Sequence, residues 1–277
     1  MRVRTYGISG PTIIVLHGGP AAVGEAAPIA RGLAPPFQVL EPWQRGCGEE
    51  SLTVARHVTD LHELVQTQPS SNRPALVGES WGAMLALAYA AAYPQSAGPI
   101  ALIGCGTFDP MSRARMTAIL EERTDSDLRR QLERLSAEYP DAGECLKRQI
   151  ALTEPLYLFD PVADDLFDEQ SPPFDSRAHL ETWADMMRLQ EAGLYPAAFT
   201  AIQSPVLMLH GAYDPHPGQM IRATLQRHLP QLEYREWAEC GHKPWLEKAV
   251  REEFFLVLRE WLTRHLLMRE SPCCDGR

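Results

Sequence analysis

The sequence predicts an α/β architecture: a mostly parallel twisted sheet with helices on both faces and a helical cap inserted into it. Three observations carry this. Short, near-continuously apolar runs recur along the chain, as strands buried on both faces do. Segments of helical period lie between them. From about residue 108 to 200 the alternation stops, and that stretch reads as helix and loop with no strand.

Taken in order, the strand signals are "RVRTY" (2–6), "TIIVLH" (12–17), "FQVLE" (37–41), "PALVGE" (74–79), "GPIALIG" (98–104), "SPVLMLHG" (204–211) and "LEYREW" (232–237). Helices are expected over 22–33, 51–67, 81–93 and 246–266. In 51–67, Val54, Val58, Leu61 and Val65 recur at helical spacing; in 246–266, Val250, Phe254, Val257, Leu258 and Trp261 do so. Inside the insertion, residues 111–140 read as one charged helical segment with Leu128, Leu132 and Leu135 on one face. Residues 175–193 read as a second helix, and the acidic, proline-punctuated stretch between them as loop. The expected organisation is a core of residues 1–107 and 201–277, with 108–200 as a cap. Beyond the carboxyl ends of a parallel sheet such an insertion covers the ligand crevice.

The bulk numbers narrow the function classes. A chain of 277 residues can bury a sizeable core. Its formal net charge of −10 opposes binding to a phosphate backbone, so nucleic acid is not an expected partner. No stretch approaches the roughly 20 apolar residues of a membrane span, and "MRVRTYGISG" lacks the apolar region of a secretory leader. The six cysteines show neither zinc nor redox spacing, and reduced thiols in a cytoplasmic protein are the expectation. No cofactor and no metal are expected.

Gly78-Glu79-Ser80-Trp81-Gly82 stands where an apolar run becomes a helical one. The pattern G-x-S-x-G arises by chance in about one chain in ten of this length, so its weight comes from the strand–turn–helix setting. Flanking glycines let backbone and helix close in while the serine sits in a strained conformation with its hydroxyl exposed. A hydroxyl needs a base. His57, His62, His179, His228 and His265 fall in helical patterns and are expected to be solvated; His210 ends a strand and is expected to pack; His17 is expected to staple a loop. His242, in "ECGHKPWLEK" between the last strand and the last helix, lies on the same sheet edge as Ser80 and is the expected base. Asp214, after the penultimate strand, is the expected orienter, with Asp109 as its rival. The oxyanion would be held by the N–H groups of Trp81 and of Gly19 in "HGGP", with Gly18 as the alternative.

These pieces together resemble the α/β-hydrolase fold, and within it the proline iminopeptidase family of serine hydrolases. The matching stretches are "HGGP" (17–20), "QRGCG" (44–48), "GESWGAMLALAYAAAYP" (78–94), "GAYD" (211–214) and "GH" (241–242), in the family's order. The chain departs from the family at Ala21, at Trp43 and at Glu79. The resemblance implies an acyl-enzyme mechanism that releases N-terminal proline or another small residue from peptides or amides. It also implies carboxylates near the cap that receive the substrate's α-amine, for which Glu154, Asp160, Asp164, Asp165, Glu169, Glu181 and Asp185 are available and Glu154 has the most apolar company. A carboxylesterase on the same machinery is the alternative. A hydrolase-fold protein that binds a ligand without turnover is the rival from another class.

Overall fold

A computed structural model describes residues 1–68, 73–162 and 171–267. Seven strands form one sheet: β1 (Val3–Tyr6), β2 (Thr12–Leu16), β3 (Gln38–Pro42), β4 (Ala75–Glu79), β5 (Ile100–Ile103), β6 (Val206–Gly211) and β7 (Leu232–Trp237). Their order is β1-β3-β2-β4-β5-β6-β7. β1 runs antiparallel to β3 and every other pairing is parallel. β2, β4, β5 and β6 are buried along their whole length, which explains their unbroken apolar sequence. β7, at the edge, buries its ends Leu232 and Trp237 and turns residues between them outward.

The period-2 alternation of the strands divides the core into two layers. Ile13 and Val15 of β2 face one side, where α1 (Ala27–Leu33) and the C-terminal helix, Arg251–Leu266, pack with Ile29, Leu33, Phe254, Leu258 and Trp261. Ile14 and Leu16 face the other. There α2 (Val54–Gln66) and α3 (Trp81–Ala92) pack, together with the helix Gly218–Gln226 between β6 and β7. Every residue of α3 from Trp81 to Ala90 is buried, so this helix is apolar all round. β3 and β4 lie on opposite sides of β2. The chain therefore reverses its direction of progress at the carboxyl ends of β2 and β4, where a crevice opens in such sheets.

Between β5 and β6 lies the helical insertion: α4 (Pro110–Arg123), α5 (Ser126–Glu138), α6 (Ala142–Thr153), a 3-10 turn at Glu154–Tyr157, α7 (Ser176–Glu191) and a 3-10 turn at Ala197–Ala201. α8 (Gly218–Gln226) and α9 (Arg251–Leu266) complete the helices named here. The segment expected as one helix over 111–140 is two, because Thr124 turns extended to end one and Asp125 caps the start of the next. Its carboxylate accepts the N–H groups of Asp127 and Leu128. Asp109, Asp141 and Asp175 begin α4, α6 and α7 in the same way. α6 and α8 appear where no helix was expected, and the first helix begins at Ala27 rather than near 22.

The insertion is joined to the core along two polar lines. At α7, Asp175 accepts the Cys47 N–H, Glu181 the Leu52 N–H, Asp185 the Val54 N–H, and Thr182 meets His57 at 3.0 Å. At the other end the fully buried Glu247 accepts three backbone N–H groups: Phe159 (2.9 Å), Asp160 (2.7 Å) and Gly241 (2.9 Å). Arg123 donates to the carbonyls of Leu156 and Tyr213 while lying over the Tyr213 ring.

Candidate active site

Ser80 occupies the sharp turn from β4 into α3 with φ 52° and ψ −115°, a positive-φ conformation that a side chain makes strained. The flanking glycines are required by close approach. A Cβ on Gly78 would come within 2.2 Å of the Gly82 carbonyl oxygen, and one on Gly82 within 2.2 Å of the Leu16 carbonyl oxygen. The turn is pinned by the Ser80 N–H, which donates to the Ile103 carbonyl at 2.8 Å.

Ser80 opens into a cavity of about 410 Å³. From the core come Gly19, Trp81 and Met84; from the insertion, Met116, Ile150, Trp183 and others; from the last loop, His242 and Lys243. α6 turns Leu146, Gln149, Ile150 and Thr153 to this space, which is why it buries no residue against the core.

His242 lies on that wall, and its Nδ1 meets Asp214 Oδ2 at 2.7 Å. Asp214 is buried and fully used as an acceptor. Oδ1 takes the His216 N–H (2.9 Å) and Nδ1 (3.0 Å), and His210 Nε2 lies 3.2 Å from Oδ2 while also reaching the His216 carbonyl at 2.8 Å. The donor atoms of Asp214, His216 and His242 lie within 4.8 Å of one another, and these hydrogen bonds account for that closeness. Burial pushes the Asp214 carboxyl up. The imidazoles of His242, His216 and His210 outweigh it and hold the group well below the usual carboxylate range. Burial pulls His242 below the ordinary histidine value, against the opposing pull of Asp214. The arrangement is that of an imidazole held by a carboxylate and kept neutral, on the wall of the cavity that Ser80 also lines.

Asp109 is elsewhere engaged, on Ser112 and Thr224 at the start of α4. Gly18 is engaged too, because its N–H donates to Glu79 Oε1 at 2.6 Å. The N–H groups of Gly19 and Trp81 have no protein acceptor among the described residues. Gly19, at φ 105°, lines the cavity. His17 is buried and neutral, its pKa lowered to about 4 by burial. Its Nδ1 meets the Gly18 carbonyl, and its Nε2 accepts the Gln44 N–H. Gln44 also donates to the His17 carbonyl and accepts the Trp81 indole N–H at 2.7 Å. The "QRGCG" stretch thus clamps the Gly19 loop to the start of α3. Trp43 stands away from the cavity under the guanidiniums of Arg2 and Arg4.

Several expectations are corrected. His57 is buried rather than solvated, because α7 covers it. His179 is half-buried against the Pro20 carbonyl and lines the cavity. Of the acidic residues in the insertion, Glu154 reaches the cavity, Asp160 pairs with Lys248 outside it, and Glu181 and Asp185 hold backbone amides. Asp164, Asp165 and Glu169 lie outside the described residues, as do Cys273 and Cys274. Glu25, Glu79 and Lys243 were not foreseen together. Lys243 Nζ contacts Glu154 Oε1 at 2.7 Å and Glu25 Oε2 at 3.5 Å, and all four line the cavity. Burial works against the Lys243 ammonium, yet Glu25, Glu154 and Glu79 outweigh it and hold its pKa above lysine's usual value. Glu79, buried and near Glu25, is pushed up to about 7.

A family model described as "Alpha/beta hydrolase family" matches residues 13–254. Among curated proteins the chain is similar to the proline iminopeptidase of Lactobacillus helveticus (strain DPC 4571), 25% identical over 287 aligned positions covering 92% of this chain and 90% of that one. Among solved structures it is similar to a thermophilic esterase from Thermogutta terrifontis, with TM-score 0.62, 20% identity and coverage of 96% and 93%. It is also similar to a proline iminopeptidase of Mycobacterium smegmatis, with TM-score 0.59, 19% identity and coverage of 97% and 96%. At these identities the solved structures speak for the fold.

Proposed function

This chain belongs to the alpha/beta hydrolase family, and from that premise we propose that it is a serine hydrolase working through an acyl-enzyme, with residues 108–200 as its cap. Ser80 Oγ attacks the substrate carbonyl carbon and His242 takes the hydroxyl proton. Asp214 holds the imidazole and stabilises its charge, and the N–H groups of Gly19 and Trp81 receive the oxyanion. As the tetrahedral intermediate collapses, the His242 proton passes to the leaving group. Water, activated by His242, then releases the acid. The observation that carries this reading is the buried Asp214–His242 pair on the wall of the cavity into which the strained Ser80 turn opens. The relay needs no metal or cofactor.

The substrate class follows from the cavity and the relatives. Apolar walls at Met84, Met116, Ile150 and Trp183 suit a small apolar acyl residue. Among the described lining residues Glu25 and Glu154 outnumber Lys243, Glu79 adds to the excess above about pH 7, and an excess of carboxylate suits a substrate ammonium. Together with the matched proline iminopeptidases, this supports release of an N-terminal proline or other small residue from peptides and amides. Carboxylesterase activity is the second reading, favoured by the Lys243 ammonium that already pairs with Glu154 and Glu25. The four described cysteines are unpaired, which suits a cytoplasmic protein.

Hydrolysis of proline p-nitroanilide against p-nitrophenyl butyrate separates the two. Brisk cleavage of the second with none of the first overturns the peptidase reading. A fluorophosphonate probe tests the serine itself: wild type labels and Ser80→Ala does not. Equal labelling of both, or none in wild type, favours a binding protein without turnover. Because His242 acts neutral and its pKa is lowered, the acid limb of the rate has its midpoint below pH 6.5.

A further inference from the structure

Asp214 is met by three imidazoles, and a Ser–His–Asp relay requires one. His216, two residues after Asp214, reaches Oδ1 with both its backbone N–H and its ring Nδ1, while His242 takes Oδ2. The His216 and His242 rings stack, with centroids 4.8 Å apart and planes 24° apart. His216 lines the same cavity as Ser80, and its side chain retains 12% exposure where that of His210 has none. With Nδ1–H donated to Asp214, Nε2 is the atom left to take up a proton, and it has no protein partner among the described residues.

Resting on the serine hydrolase reading above, we propose that His216 is a positioning residue of the proton relay. It fixes the second oxygen of Asp214. A positive charge on its stacked ring disfavours one on His242, so that the enzyme stays active to lower pH than with an uncharged side chain in its place.

The physical basis is like-charge repulsion between stacked rings. Two imidazolium ions at this separation oppose each other, so a charge on the His216 ring disfavours one on His242. Burial is the main cause of the lowered His242 pKa, and the charges of His216 and His210 act in the same direction against Asp214. Other titratable and charged groups flank the pair. Tyr157 of the insertion lies 5.6 Å from the His242 ring, and Lys243 with Glu25, Glu79 and Glu154 stands on the cavity side. Cys105, after β5, Arg123, in α4, Tyr234, in β7, and Cys240 all feel the charge of Asp214. His210 is sealed in the core with its Nε2–H directed to Asp214 and the His216 carbonyl. His216 is therefore the histidine of the group that the cavity reaches besides His242.

The test is the rate of fluorophosphonate labelling across pH 5–9, which needs no knowledge of the substrate. His216→Asn keeps an N–H donor near the place of Nδ1 but cannot take a proton; His216→Leu loses both. In His216→Asn the acid limb is expected to move up by about half to one pH unit. With each protein normalised to its own plateau, labelling on the acid limb then falls about threefold to tenfold relative to wild type. His216→Leu shows the same shift with a lower plateau, because the Asp214 oxygen has lost its ring donor. A His216→Asn limb that coincides with wild type overturns the proposal, whatever happens to its plateau. Should His216→Leu not fold, His216→Asn carries the test alone. A wild type that does not label, or a Ser80→Ala that labels equally, instead overturns the serine hydrolase reading and the proposal with it.

Discussion

In α3 every residue from Trp81 to Ala90 is buried, whereas α6 buries none, although both helices border the same cavity. α3 is held by apolar contact on all sides, sandwiched between the sheet and α2. α6 and its neighbours in the insertion are held by aspartate caps and by carboxylates that collect backbone amides: Glu247, Asp175, Glu181 and Asp185. Apolar contact fixes the position of Ser80 through volume, and any added atom is felt. Directional hydrogen bonds fix the insertion at a few points and leave its apolar side chains for the cavity.

That contrast can be broken deliberately. The largest expected effect is Gly82→Ala, whose Cβ has no room beside the Leu16 carbonyl oxygen. It should destabilise by about 4 kcal/mol or more, or prevent soluble expression, as read by denaturant unfolding. Leu87→Ala, in the buried face of α3, should lose about 2–5 kcal/mol by the same measurement. Ile150→Ala in α6 should leave the unfolding midpoint close to wild type and raise KM severalfold, because its side chain serves the cavity. Equal destabilisation by the last two would end the distinction.

The polar joint is tested next. Glu247→Ala leaves three backbone N–H groups, the buried one of Gly241 among them, without their acceptor and should cost about 2–3 kcal/mol. Because Gly241 precedes His242, it should also lower kcat; Glu247→Gln, which keeps one carbonyl oxygen, should recover part of both. Glu79 gives a pH-dependent effect. The folded carboxyl keeps its proton to about pH 7, while an unfolded one releases it near 4.5. The folded state therefore binds more protons across that window, and stability falls as pH rises through it. Glu79→Gln should thus raise the melting temperature at pH 8, by the equivalent of about 1–3 kcal/mol, with the gain shrinking towards pH 5. Smallest of all, Lys248→Ala removes an exposed pair with Asp160 and should leave the melting temperature unchanged within error.

The same contrast governs what could be read in the sequence. The strands were legible because a sheet buried on both faces needs unbroken apolar runs, and "LEYREW" matches β7 residue for residue. The loops carrying Ser80 and Asp214 were legible because each follows such a run, and the loop carrying His242 because it lies between the edge strand and the last helix. α6 was not, because Leu146 and Ile150 face a cavity and the helix has no buried stripe to reveal it. The break between α4 and α5 had a local signal in Asp125, hidden within a charged run. The burial of His57 had none, since it depends on Thr182, 125 positions away. The meeting of Glu25, Glu79, Glu154 and Lys243 is likewise a product of long-range closure. His216 differs: it sits two residues from Asp214, and the short "DPHP" turn is what brings its ring back onto that carboxylate.

The aspartate that opens each of α4, α5, α6 and α7 carries one more consequence. A helix that satisfies its own first amides carries its start signal with it and does not depend on the sheet to begin. The order of these helices is therefore written locally, one aspartate at a time, while their seat on the core is written at a distance, by Asp175, Glu181 and Asp185 on the amides of Cys47, Leu52 and Val54.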